Sequence, residues 1–261
     1  MSTDYSVLDR PEALAAIFHP RPELSPPPLH DGVSDHLIPV GPDTTIGARF
    51  HCSTSESANI LFFHGNGEIV ADYDNLGPIF NQMGINLLAV DYRGYGRSGG
   101  SPTVSDMMAD CHLILEYARA WLGKNRHNRP IIVMGRSLGS ASALELAATH
   151  ARQLGGLIIE SGFAYAAALL RLLGIDPQRI GFKEESGFVN LDKIRRYAGP
   201  TLIIHAQYDH IIPFSDAQAL FDASPSATKQ LLKIPGANHN DIHMHGFAAI
   251  MQSIQSLISN L

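Results

Sequence analysis

PIIVMGRSLGSASA, residues 130–143, reads as a buried strand that turns sharply at a serine and continues as a helix. Ile131 to Met134 form a short run of β-prone apolar residues, the pattern of a strand covered on both faces in a parallel sheet. Gly135-Arg136-Ser137-Leu138-Gly139 then fits G-x-S-x-G, a spacing in which the serine is strained and the glycines relieve the crowding around it. Small residues and helix formers follow from Ser140 to Ala148, so a helix can lie close to the sheet with its N-terminus aimed at the serine. Strand, turn and helix together make Ser137 the candidate nucleophile.

A serine hydroxyl attacks poorly at neutral pH unless an imidazole takes its proton and a carboxylate orients that imidazole. In the order Ser, acid, His, the acid is Asp209, which follows an apolar strand at Leu202 to His205. The base is His239, in a Pro235-Gly236-Ala237-Asn238 loop after a strand at Leu231 to Ile234. Glu160 and Asp241 compete as acids, and His205, His210, His243 and His245 as bases, each from a less suitable position. The oxyanion needs fixed N–H donors: Leu138, directly after the serine, and Asn66 in the loop His64-Gly65-Asn66-Gly67-Glu68.

Outward from this centre, strands at Ile60 to Phe63 and Ile85 to Val90 alternate with helices at Val70 to Met83 and Val104 to Trp121. Downstream, a helix at Ser140 to Leu154 precedes strands at Leu157 to Glu160, Leu202 to His205 and Leu231 to Ile234, with helices at Ser215 to Ala223 and Phe247 to Ser259. This rhythm predicts an α/β fold with a mostly parallel, doubly wound sheet. His36 to Val40 and Thr45 to Cys52, around a Gly41-Pro42-Asp43 turn, predict an antiparallel edge hairpin. Residues 1–35 are expected to form an N-terminal arm, a short helix at Val7 to Phe18 and then a Pro-rich stretch, ahead of one domain over 36–261. The interval 161–199 is too long and too apolar for a single crossover, and a small helical cap is expected there. Its Arg171, Arg179, Lys183, Glu184 and Glu185 read as solvated helix faces.

With 261 residues and 45% hydrophobic content, the chain can bury a large core. A net charge of -6, with no long run of one sign, argues against nucleic acid. Two cysteines, Cys52 and Cys111, suit free thiols, and no signal peptide or apolar span is evident, so a cytoplasmic location without an integral membrane segment is expected. Gly94-Tyr95-Gly96-Arg97-Ser98-Gly99 fits G-x-G-x-x-G, but Gly100, Ser101 and Pro102 separate it from the next helix and no acidic residue ends a strand about twenty positions on. No dinucleotide or other cofactor is expected. His239, His243 and His245 lack the spacing of a zinc site, so no metal is expected either.

HGNGE at 64–68, DYRGYGRSGGSPT at 91–103, GRSLG at 135–139, YDHIIPF at 208–214 and GANHND at 236–241 occur in the order of the α/β-hydrolase superfamily, which the chain resembles over most of residues 36–261. It is most similar to small-cap serine hydrolases, the depalmitoylase-like and peptidase-like members among them. The resemblance implies ester, thioester or amide hydrolysis through an acyl-enzyme, with Ser137, Asp209 and His239 as the triad, and a small-molecule acyl ester or thioester is the expected substrate. A peptidase or amidase on the same triad, or a catalytically silent binding protein of the same fold, are the alternatives. The first cysteine is Cys52, unlike the cysteine-rich, lipidated N-terminus of membrane-acting depalmitoylases. Acyl length and oligomeric state are left open.

Overall fold

The computed structural model describes residues 4–24 and 31–261. Eight strands form one sheet: β1 (Val33–Pro39), β2 (Thr45–His51), β3 (Ala58–Phe63), β4 (Ile85–Val90), β5 (Ile131–Arg136), β6 (Leu154–Glu160), β7 (Thr201–Ala206) and β8 (Lys229–Ile234). Their spatial order is β1-β2-β4-β3-β5-β6-β7-β8. The expected edge hairpin is there: β1 pairs antiparallel with β2, and β2 antiparallel with β4. Every later pairing is parallel, as an α/β-hydrolase fold requires.

Residues of β3, β4, β5 and β7 are buried throughout, because helices cover both faces. Successive side chains point to opposite faces. Thus Leu61, Phe63 and Val133 join the core under α3 (Val104–Lys124), α4 (Ser140–Thr149) and α7 (Phe214–Ala223). Ile60, Phe62, Ile132 and Met134 join the opposite core, under α2 (Gly77–Gln82) and α8 (Ile242–Ser259). Between β6 and β7 the chain leaves the sheet as α5 (Ala166–Leu172), a 3-10 turn at Glu184–Ser186 and α6 (Asn190–Ile194). No helix among the described residues is long and apolar enough to cross a membrane.

Several boundaries differ from those read in the sequence. The helix expected over Val70 to Met83 is a 3-10 turn at Val70–Tyr73 followed by α2, because Pro78 at the first turn starts a fresh helix. The helix expected to run to Leu154 stops at Thr149, and Leu154 already belongs to β6. The N-terminal helix is α1 (Pro11–Ile17), its start fixed by Pro11. The last helix begins at Ile242, earlier than expected, and takes in His243 and His245. Pro26 to Pro28 of the expected Pro-rich arm lie outside the described residues.

Candidate active site

β5 ends at Arg136, and Ser137 adopts a φ of +50°, a left-handed backbone that costs a side-chain-bearing residue energy. The glycines on either side explain the spacing of the motif: a Cβ at Gly135 would strike the Gly139 carbonyl, and one at Gly139 the Phe63 carbonyl of β3. The turn can close this tightly only without those atoms.

The other two predicted residues arrive from strand ends on the same rim. Asp209 follows β7, and its Oδ1 accepts from the backbone N–H of Ile211 (2.9 Å) and Ile212 (2.8 Å), which fixes its rotamer. Its Oδ2 lies 2.7 Å from Nδ1 of His239, in the loop after β8. Nε2 of the same ring lies 3.0 Å from Ser137 Oγ. Burial opposes the charge of Asp209, yet the hydrogen bond and charge of His239, with the Ile212 N–H, hold its carboxyl below the usual range. An ionised carboxylate only accepts, so the ring's proton sits on Nδ1 and Nε2 is left to accept from the serine hydroxyl. A second histidine braces the acid. His205 Nε2 donates to the Ile212 carbonyl at 2.7 Å and lies 3.4 Å from Asp209 Oδ2.

The competing residues sit elsewhere. Glu160, at the end of β6, pairs with His243 Nε2 at 3.0 Å and Arg136 Nε at 3.2 Å. Asp241 accepts from the Asn238 backbone N–H at 2.7 Å at the start of α8. Burial alone would raise the Glu160 carboxyl, but His243 and Arg136 bring it down to about 2. His243 is raised in return, chiefly by the Glu160 charge.

Asn66 and Leu138 both border a cavity of about 180 Å³ beside Ser137. Neither backbone N–H donates to another protein atom among the described residues. The Asn66 side chain is held from the other side: its Oδ1 accepts from the His19 N–H (2.8 Å) and the Tyr95 hydroxyl (2.7 Å). The far wall of the cavity is apolar, with Leu169, Leu170, Leu173, Phe188 and Ile211.

Arg136 carries a role that the wildcard position of the motif concealed. Its guanidinium pairs with Glu68 of the Asn66 loop and with Glu160 of β6, and Nη2 donates to the His239 carbonyl at 3.1 Å. One buried cation thereby ties the serine's strand to the Asn66 loop and the histidine loop. Glu184 corrects the sequence reading. It is no solvated face, because its carboxylate accepts from the N–H groups of Ala166 (2.6 Å) and Ala167 (2.9 Å) and so caps α5 over the cavity. The G-x-G-x-x-G stretch is likewise structural: Gly96 lies so close to the Asp91 carboxylate that no side chain fits, and Asp91 accepts from the Val70 N–H at 2.9 Å.

The "Serine aminopeptidase, S33" family model matches residues 54–175. Alpha/beta hydrolase domain-containing protein 17C of Mus musculus is 29% identical over 229 residues, covering 84% of this chain and 65% of that protein. Alpha/beta hydrolase domain-containing protein 17B of Homo sapiens is 32% identical over 205 residues, 75% of this chain and 65% of its own length. The chain thus spans just under two thirds of the length of these curated relatives. In fold it is similar to Est1E from Butyrivibrio proteoclasticus, solved with ferulic acid, at a TM-score of 0.69 and 18% identity over 86% of this chain and 98% of that one. A soluble variant of monoglyceride lipase from Saccharomyces cerevisiae gives 0.68 and 17% over 87% and 94%. With its elbow, its strand order and these relatives, the chain has the α/β-hydrolase fold and is similar in sequence to α/β-hydrolase domain-containing proteins.

Proposed function

We propose that this protein is a serine hydrolase that cleaves a carboxylic ester or thioester through an acyl-enzyme. The observation that carries the reading is the continuous hydrogen-bonded line from Ser137 Oγ through His239 to Asp209, ending beside a largely apolar cavity. Ser137 Oγ attacks the acyl carbon while its proton passes to His239 Nε2, and Asp209 steadies the imidazolium. The carbonyl oxygen, now an anion, is received by the N–H groups of Leu138 and Asn66. Collapse breaks the bond to the alcohol or thiol, which leaves with the proton from His239. A water, deprotonated by the same ring, then releases the acid and restores Ser137.

The cavity's size supports a short to medium acyl group, since an apolar cavity of about 150 Å³ already accepts a six-carbon ring. The family model's name favours a second reading, an aminopeptidase. Against it, Glu68, the carboxylate bordering the cavity, is engaged by Arg136, the Gly65 N–H and the Tyr73 hydroxyl. That leaves it poorly placed to hold a peptide's ammonium group.

The test pairs a fluorophosphonate probe with a substrate panel. Labelling is expected at Ser137 and not in Ser137→Ala, with p-nitrophenyl butyrate and hexanoate hydrolysed faster than aminoacyl-β-naphthylamides. Labelling elsewhere, or a preference for the amides, would overturn the corresponding part of the reading.

A further inference from the structure

Residues 5–23 form a strap pinned upstream and downstream of Ile17, which lines the cavity. Upstream, Asp9 Oδ1 accepts from the first N–H groups of α3, Val104 at 2.7 Å and Ser105 at 3.2 Å, and the Tyr5 hydroxyl accepts from Lys193 Nζ at 3.2 Å. Downstream, Arg21 donates to the Gly67 carbonyl at 2.7 Å, Pro22 bridges Gly96, and Glu23 pairs with Arg49 at 3.1 Å and Arg97 at 3.0 Å. Between these anchors lies α1, which packs on α5. Its buried face is Ala13 and Ile17, one turn apart. Ile17, 5% exposed, lines the cavity together with Ser137, Leu169 and Leu170.

From this arrangement we propose that the strap is a wall of the acyl site and that Ile17 sets the length of chain the site accepts. The inference rests on the acyl-hydrolase reading above and adds to it the residue that determines specificity. Position 17 is clamped on both sides, so the wall does not yield to a longer chain. The strap also reaches the chemistry itself, because His19 holds the side chain of Asn66. The acyl chain's end and the oxyanion loop are therefore bounded by one short piece of chain.

The experiment compares Ile17→Ala, Ile17→Phe and the wild-type protein on p-nitrophenyl esters from acetyl to decanoyl. Leu14→Ala, on the same helix but away from the cavity lining, serves as the control. Ile17→Ala should move the kcat/KM optimum toward longer chains, by about fourfold for each methylene newly buried, the ratio that corresponds to about 0.8 kcal/mol. Ile17→Phe should depress hexanoyl against acetyl by roughly tenfold or more, as about two methylenes lose their space. Leu14→Ala should lower Tm while leaving the chain-length profile in place. Parallel profiles for all four proteins, with turnover intact, would overturn the inference and leave the hydrolase reading standing. Failure of the wild-type protein both to turn over any ester and to take the fluorophosphonate at Ser137 would remove that reading and the inference with it.

Discussion

Two histidine–carboxylate pairs stand side by side in this molecule, and they differ in what lies beyond the ring. His239 faces Asp209 through Nδ1 and the Ser137 hydroxyl through Nε2. His243, four residues on and in the first turn of α8, faces Glu160 through Nε2, and Glu160 is shared with the Arg136 guanidinium. In the first pair the carboxylate is braced by backbone N–H groups and a neighbouring imidazole, so it can orient a ring and stabilise its charge. In the second the carboxylate is already matched by a fixed cation, and the histidine completes a buried charge balance. A histidine next to an acid is thus weak evidence of chemistry. The contact made by the other nitrogen, and any cation on the acid, decide the role.

The sharpest break in this comparison is expected at the serine. Ser137→Ala should lower kcat on the order of 10⁶-fold, the scale at which a triad acting as a unit fails, with Tm nearly unchanged. Parallel ester assays and thermal melts would check both halves. Next comes a contest between the two acids. Asp209→Asn should cost roughly 10⁴-fold in kcat by presenting the wrong tautomer, and Glu160→Gln less than about tenfold, since its partners are structural. Steady-state kinetics giving the reverse order would exchange the roles of the two pairs.

Stability should rank the pairs the other way. Glu160→Gln leaves Arg136 and His243 short of a buried counter-charge, which costs about 3 kcal/mol. In a chain of this size that is a fall of roughly 6 to 12 °C in Tm, readable by calorimetry. The smallest effect concerns pH. His243 is raised above 6.5, so its contribution is complete below that value and fades as pH rises through the raised one. Glu160 is lowered from 4.5 to about 2, so its contribution is complete above 4.5 and fades as pH falls toward 2. The Tm gap between wild type and His243→Gln should therefore be widest between about pH 4.5 and 6.5 and narrow toward pH 9. A gap constant over that range would mean that His243 acts through packing alone.

The parts of the fold that were legible in the sequence are those written as local pattern. The apolar run before Gly135, the small residues after Gly139 and the alternation of strands with helices place β5, α4 and the sheet within a few residues. Ser137, Asp209 and His239 were legible because each follows a strand end on the same rim. What stayed hidden depends on partners far away in sequence. Arg136 looks like filler in its pentapeptide until Glu68 and Glu160 surround it. Glu184 looks like surface charge until α5 is seen to begin over it. Ile17 looks like any apolar helix position, because its neighbours across the cavity come from residues well over a hundred positions later. The break at Gly77-Pro78 was open to reading, since proline at a first turn is a local signal.

The strap also bears on the order in which the molecule comes together. Tyr5 and Lys193 are 188 positions apart, Asp9 and Val104 95, and His19 and Tyr95 76. The strap adds no strand to the sheet, and its anchors are surfaces that exist only once α3, α6 and the Gly96 turn are in place, so these contacts come late when the chain folds. The sheet can align Ser137, His239 and Asp209 while the segment ahead of it still searches for α3, α6 and the Gly96 turn. A refolding chain should therefore regain reactivity toward a small fluorophosphonate first and selectivity among acyl lengths later. The strap is in this sense the last element to dock, and the wall it builds closes a centre that is already assembled.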